Sequence, residues 1–138
     1  MGQARATVES FYDLFPADGI DQMGKLFDPA CISVMPGGAM NQEQHEAMGY
    51  AFKAAFPDAR MVIDHAIESG DEIVVLGRFQ GTHTGDMVGH GGTIPASGRD
   101  LDLRFIDYFK VVDGVIVDHQ TAFDQMDLLG QLGALPGA

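Results

Sequence analysis

A chain of 138 residues, 46% of them apolar and 20% charged, can bury a real core and coat it, so wholesale disorder is excluded and one domain, 1–138, is expected. With 8 Lys+Arg against 20 Asp+Glu the net charge is −12, which leaves no electrostatic footprint for nucleic acid or an anionic membrane. The lone Cys31 excludes an internal disulfide, no apolar run approaches a membrane span, and the N-terminus lacks a signal peptide's basic-then-apolar layout, so a cytoplasmic location is expected.

The first element is a helix over residues 4–15, with Val8, Phe11, Tyr12 and Phe15 at the i, i+3, i+4, i+7 spacing of an apolar stripe and Pro16 closing it. A second short helix fits residues 19–27, with Asp18 as N-cap and Ile20, Met23, Leu26 and Phe27 inward. A strand from Cys31 to Met35 ends at Pro36-Gly37-Gly38. Asn41 then caps a helix over about residues 42–56, with Gln44 in the capping-box position and Met48, Ala51, Phe52, Ala55 and Phe56 as its stripe. Residues 60–68 alternate as a strand with His65 on the face of Ile63 and Ile67, and Glu72 to Gln80 form a second, buried strand. The six glycines of residues 81–98 predict a long mobile loop at the rim of a pocket. Near the C-terminus Asp124 caps a last helix carrying Leu128, Leu129 and Leu132, either against the sheet or as a lid, which stops at Gly133 with Pro136 beyond.

Between the loop and that helix, residues 100–124 form the hairpin around which the chain is organised. Leu101, Leu103, Phe105, Asp107, Phe109 and Val111 share one face at a period of two, and Val115, Val117, His119, Thr121 and Phe123 share one face of the second strand. A two-residue turn at Asp113-Gly114 with unbroken pairing would set these faces on opposite sides. A three-residue turn with Gly114 left-handed brings them together and places Asp107 opposite His119 and Phe105 opposite Thr121. Helices followed by mostly antiparallel strands predict an α+β fold: three N-terminal helices packed in the concave face of a curved sheet, a cone-like barrel with a pocket at its mouth and a short C-terminal helix.

Several segments together resemble the SnoaL-like polyketide cyclases: A-F-P-D (55–58), G-T-H-T-G (81–85), Ile94-Pro95 through Gly98-Arg99, V-V-D-G-V-I-V-D-H (111–119) and D-Q-M-D-L-L-G-Q-L-G (124–133). These belong to the cone-shaped α+β superfamily shared with nuclear transport factor 2 and ketosteroid isomerase. The resemblance implies a cofactor-free intramolecular aldol closure in which an aspartate two residues after the hairpin histidine removes a proton alpha to a carbonyl. Here the histidine is His119, but the aspartate position is Thr121, which cannot act as a general base at neutral pH. Where the cyclases place a second pocket histidine, this chain has Asp107. Ketosteroid isomerase-like enzymes use pocket carboxylates and a tyrosine, for which Asp107 and Tyr12 are the loose equivalents. The Asp-Arg-Asp arrangement of limonene-epoxide hydrolase-like relatives is disfavoured, because Arg104 and Asp107 are three apart on a strand and face opposite sides.

The residues themselves point to Asp107 as base or acid. Between Phe105 and Phe109 it is expected to be desolvated, which raises a carboxyl pKa unless a cationic His119 offsets it. A buried Asp-His pair that merely satisfies itself is the plainer reading of the same residues. His119 is the expected catalytic partner; Thr121 and Tyr12 are candidates to hold substrate oxygen, and Phe105, Phe109 and Phe123 to hold its apolar body. His83 is expected to shape the loop or rim the pocket, and Arg78 either binds an anion or forms an ion pair. His83 and His90 have no metal-ligand spacing, neither phosphate-loop pattern is present, and Met23 and Met48 read as core. Two functions follow: a cofactor-independent lyase or isomerase acting on an apolar carbonyl compound of polyketide type, or a protein that binds such a molecule without turnover. A homodimer paired through the outer sheet face, around Ile106 and Tyr108, is expected with either.

Overall fold

The computed structural model describes residues 2–89 and 92–135. In chain order it contains α1 (Gln3–Leu14), α2 (Ile20–Met23) continued by a 3-10 turn, β1 (Ser33–Met35), β2 (Gly38–Met40), α3 (Gln42–Ala55), β3 (Arg60–Ser69), β4 (Glu72–Thr82), β5 (Met87–Gly89), β6 (Gly92–Ile94), β7 (Asp100–Val112), β8 (Val115–Ala122) and α4 (Gln125–Gln131). Six strands form one sheet in the order β2-β1-β8-β7-β4-β3, antiparallel except where β1 runs parallel to β8. The helices and the inner sheet face enclose one core, in which Val8 and Phe11 of α1 and Ala55 at the end of α3 meet Val75, Phe109 and Ile116 of the strands. This is the expected α+β arrangement.

Local chemistry accounts for most element ends. The Asn41 side chain accepts from Gln44 N–H while Gln44 returns a bond to the Asn41 backbone, and Asp124 accepts from Met126 and Asp127 N–H groups at the start of α4. The second helix is shorter than expected: Gly19, not Asp18, takes the N-cap position, and Asp18 adopts a positive φ of 58°. The strand expected from Cys31 begins at Ser33, and the glycines after Pro36 are the turn into β2 rather than an end to the sheet.

Two β-bulges correct the strand faces. On β3 the pairing jumps between Ile63 and His65, so Ala66 turns toward the core and His65, expected inside, is exposed. In the hairpin Asp113 and Gly114 both have positive φ, 52° and 77°, and Val112 pairs with Val115: the two-residue turn is the one used. The register then shifts between Val111, opposite Ile116, and Lys110, opposite Asp118. Val117 is the extra residue. It faces outward while Ile116 is buried, and beyond it the two apolar faces share a side after all. Asp107 therefore lies opposite Thr121, and His119 opposite Phe109, instead of Asp107 opposite His119.

The segment 81–98 is less of a loop than its glycines suggest. It holds the β5–β6 ribbon, and its start is pinned to α3: Gly85 N–H donates to Ala55 O, and a Cβ on Gly85 would sit 1.9 Å from the carbonyl oxygen of Ala54. The position of His90 lies outside the described residues, as does Pro136. A second close approach shapes the sheet beneath the site: Gly77 pairs with Phe105, and a Cβ there would come 2.4 Å from the Phe105 ring. α4 packs through Leu128 and Leu132 into the main core, a contact with the sheet rather than a lid.

Candidate active site

The period of two along β7 sends Asp107 to the concave face, where it is 2% exposed. Such a carboxylate must be satisfied by the protein. Tyr12, which α1 lays across the sheet, donates its hydroxyl to Asp107 Oδ2 at 2.5 Å, and Thr121, directly opposite on β8, donates to Oδ1. His119 Nε2 is 3.0 Å from Thr121 Oγ1 and 3.5 Å from Asp107 Oδ1. On the far side of the imidazole, Nδ1 is 2.9 Å from Ser33 Oγ, which the parallel β1–β8 pairing places beside it. Gln42, in the first turn of α3, donates to Cys31 O and, at 3.4 Å, to Ser33 Oγ.

These contacts have one consistent polarity. Asp107 accepts on both oxygens, so Thr121, having spent its proton, accepts from Nε2–H of His119. In that tautomer Nδ1 is bare and accepts from Ser33, and Ser33 in turn accepts from Gln42. The imidazole is further fixed by Phe109, stacked at 4.5 Å between centroids with an interplanar angle of 7°. Ser33, His119 and Asp107 share the residue types of a hydrolytic triad, but Ser33 Oγ is sealed behind the imidazole, fully buried and off the cavity wall, so it is no nucleophile.

Asp107, His119 and Thr121 line a cavity of about 650 Å³, open mouth included, whose remaining wall is apolar except for His45. Phe105 and Phe123 line it as expected. So do Met23 and Met48, which the sequence placed in the core. Tyr12 and Phe109 are not on the wall; they stand one layer behind it, so Tyr12 orients Asp107 instead of meeting substrate oxygen. Burial first, then the Asp107 charge and its hydrogen bond, push the Tyr12 phenol far above its ordinary value, and it stays a donor throughout the working pH range.

Two expected site residues are elsewhere. Arg78 is on the convex face, bonded at 2.8 Å to both Asp64 and Asp102. His83 is buried against Phe56, and its Nδ1 accepts from the Ser97 N–H, which ties the start of the glycine-rich segment to its end. The residue that sequence reasoning missed is His45. Its side chain lines the cavity from α3, with its ring centroid 5.2 Å from that of His119. Burial and, second, the neighbouring His119 lower its pKa to about 4, so the ring is neutral near pH 7. The available signal was its spacing: His45, Met48 and Phe52 follow at i, i+3, i+7 on the helix face that meets the pocket. Among the described residues no group of three His, Cys, Asp or Glu side chains is arranged to hold a metal ion, and no helix is long and apolar enough to cross a membrane.

A curved α+β sheet wrapped on helices, with a hydrogen-bonded carboxylate on the wall of an apolar cavity, is the architecture these residues build. The family model of the SnoaL-like polyketide cyclases matches residues 6–132, and the chain belongs to that family. No curated protein matches it. Among solved structures it is similar to AclR, a candidate hydroxylase from Streptomyces galilaeus, with a TM-score of 0.85 and 18% identity over 98% of this chain and 83% of that one. IdmH, a candidate polyketide cyclase from Streptomyces antibioticus, superposes with a TM-score of 0.80 and 24% identity over 96% of this chain and 99% of IdmH. TsrD from Streptomyces laurentii gives a TM-score of 0.80 and 26% identity over 96% of each chain. A Catenulispora acidiphila protein described as having a ketosteroid isomerase-like fold matches with a TM-score of 0.76 and 16% identity over 94% of this chain and 93% of its own length.

Proposed function

We propose that this protein is a cofactor-independent acid–base enzyme of the polyketide cyclase type, acting on an apolar, carbonyl-bearing molecule by aldol-type ring closure or a related isomerisation. The observation that carries the reading is Asp107: a carboxylate on the wall of an apolar cavity, its two oxygens oriented by Tyr12 and Thr121, with no Lys or Arg among the described residues bonded to it. Such a group accepts a proton from a carbon alpha to a carbonyl. The C–H pair moves into the enolate, whose carbon attacks a second carbonyl of the same molecule to form the ring C–C bond. The proton held by Asp107 returns to the new alkoxide. In an isomerisation the same proton returns to a different carbon. Thr121 fills the position of the cyclase aspartate, so the base has moved across the ladder to its partner Asp107. His119 acts through Thr121 as a positioning residue.

The cavity wall supports the substrate class. Apart from its polar side chains it is phenylalanine, methionine, leucine and glycine, and no Lys or Arg lines it. A neutral, largely apolar molecule with oxygen at one end fits; a phosphate or carboxylate has no counter-ion there. Exposed Ile106, Leu76 and Ile67 on the convex face support pairing of two copies there, which sedimentation of the purified protein tests. The test of the main reading is hydrogen–deuterium exchange at the alpha carbon of a panel of ketones: exchange by the native protein that Asp107→Asn abolishes, with binding retained. A second reading, binding without turnover, draws on the closed hydrogen-bond network of Asp107, Thr121 and His119. It predicts binding with no alpha exchange at any pH, whereas proton transfer by a carboxylate gives a pH-dependent rate.

A further inference from the structure

The polar side chains on the cavity wall divide into two groups. Asp107, Thr121 and His119 spend their hydrogen bonds on one another and on Tyr12 and Ser33 behind them. His45 spends none: its ring makes no hydrogen bond among the described residues, although it forms part of the wall. Packing holds the ring in place. Phe27 meets the ring edge-on at 5.4 Å, Phe11 lies at 6.1 Å, and the Asn41 capping box anchors the helix turn that carries it. Being neutral, the imidazole has one N–H to give and one bare nitrogen. Asp107, already accepting from two hydroxyls, has no hydrogen to donate.

We propose that His45 is a catalytic residue of this pocket, donating its N–H to the carbonyl oxygen of the substrate and so stabilising the negative charge that develops there when Asp107 takes the neighbouring proton. This rests on the acid–base reading above for its catalytic consequence, but not for the hydrogen bond itself. The electrons that leave the C–H bond end on the carbonyl oxygen, and a neutral donor held on the wall of an apolar cavity meets them there with little reorganisation. A ligand with no oxygen at that end leaves the half-buried N–H unpaired and is penalised for it, so the same residue selects for carbonyl compounds.

The test uses 1-tetralone, which offers only an acceptor oxygen, and tetralin, the matching hydrocarbon with none. Native protein is expected to bind tetralone more tightly than tetralin by about tenfold, the worth of one hydrogen bond to a buried donor, and to lower the carbonyl stretching frequency of the bound ketone relative to its value in hydrocarbon solvent. In His45→Phe both the preference and the frequency shift are expected to vanish. His45→Gln, which retains an N–H, keeps part of each and reports on whether the site still folds. A frequency shift that survives in His45→Phe, or a native protein that fails to prefer tetralone, overturns the proposal. Alpha-deuterium exchange into tetralone is read in the same samples. Absent exchange with an intact His45-dependent shift removes the acid–base reading and leaves the donor in place.

Discussion

Two aspartates five residues apart on β7 meet opposite fates. Asp102 faces outward, where Arg78 and Gln80 donate to its carboxylate in contact with water and the Gln131 side chain bonds its backbone N–H and C=O. Asp107 faces inward, with Tyr12, Thr121 and His119 as its partners. Both are satisfied, but by different physics. The outer carboxylate keeps its hydration and gains little from its cation, since exposed ion pairs are screened and cost side-chain freedom. The inner one has given up water entirely, so each donor around it matters and any loss leaves a buried charge short of a partner. A polar network on the outside of this sheet is tolerated chemistry, whereas one on the inside is poised chemistry.

The largest expected effect breaks the inner network at its centre. Asp107→Asn should lower turnover by roughly 10²–10⁴-fold, the usual worth of a positioned base, measured as alpha-deuterium exchange, while the analogous Asp102→Asn leaves the rate unchanged. Acid titration sharpens the contrast next. Folding lowers His45 from an ordinary value of about 6.5 to about 4, so below that ordinary value the unfolded chain binds a proton that the folded chain refuses. Stability from this group is complete above about pH 6.5 and is lost as pH falls toward 4, by on the order of 1–3 kcal/mol. Urea unfolding at stepped pH checks it, with His45→Gln removing that part of the slope; His119 and Asp107 are the neighbours whose charges act on His45.

Tyr12→Phe should cost about 1–3 kcal/mol of unfolding free energy, because Asp107 Oδ2 is left without a donor inside the core, and thermal melting reads it. The smallest effect belongs to the convex face. Arg78→Met should leave ketone binding and exchange unchanged and shift the melting temperature only slightly, by an amount that shrinks further as salt is added. If Arg78→Met instead abolished binding, the separation of the two faces would be wrong.

Several features of this molecule were legible without coordinates because they depend on neighbours in the chain. The alternation of β7, the Asn41–Gln44 box, the Asp124 cap and the location, though not the length, of the turn around Asp113-Gly114 follow from periods and side chains a few residues apart. The presence of Asp107, His119 and Thr121 on one surface was legible too, since parity alone decides which residues share a face. Their partners were not. A two-residue turn together with one extra residue, Val117, moved Asp107 from opposite His119 to opposite Thr121, and the bulge at Asp64 turned His65 out to solvent. Neither bulge has a local signal here, because a bulge is chosen by how the whole sheet curves and closes on its helices.

The same limit hid His45, Met23 and Met48, whose helical spacing is that of any apolar stripe whether it meets a packed core or a cavity. The sequence by itself determined the α+β architecture and a carboxylate, an imidazole and a hydroxyl on one concave face. Only the tertiary structure decided that the hydroxyls of Tyr12 and Thr121 hold the carboxylate, that Arg78 and His83 serve the scaffold, and that His45 lines the cavity with its hydrogen bonds unspent among the described residues. Strand parity is a property of the chain, but which side chains actually touch depends on register, curvature and the packing of elements far apart in it.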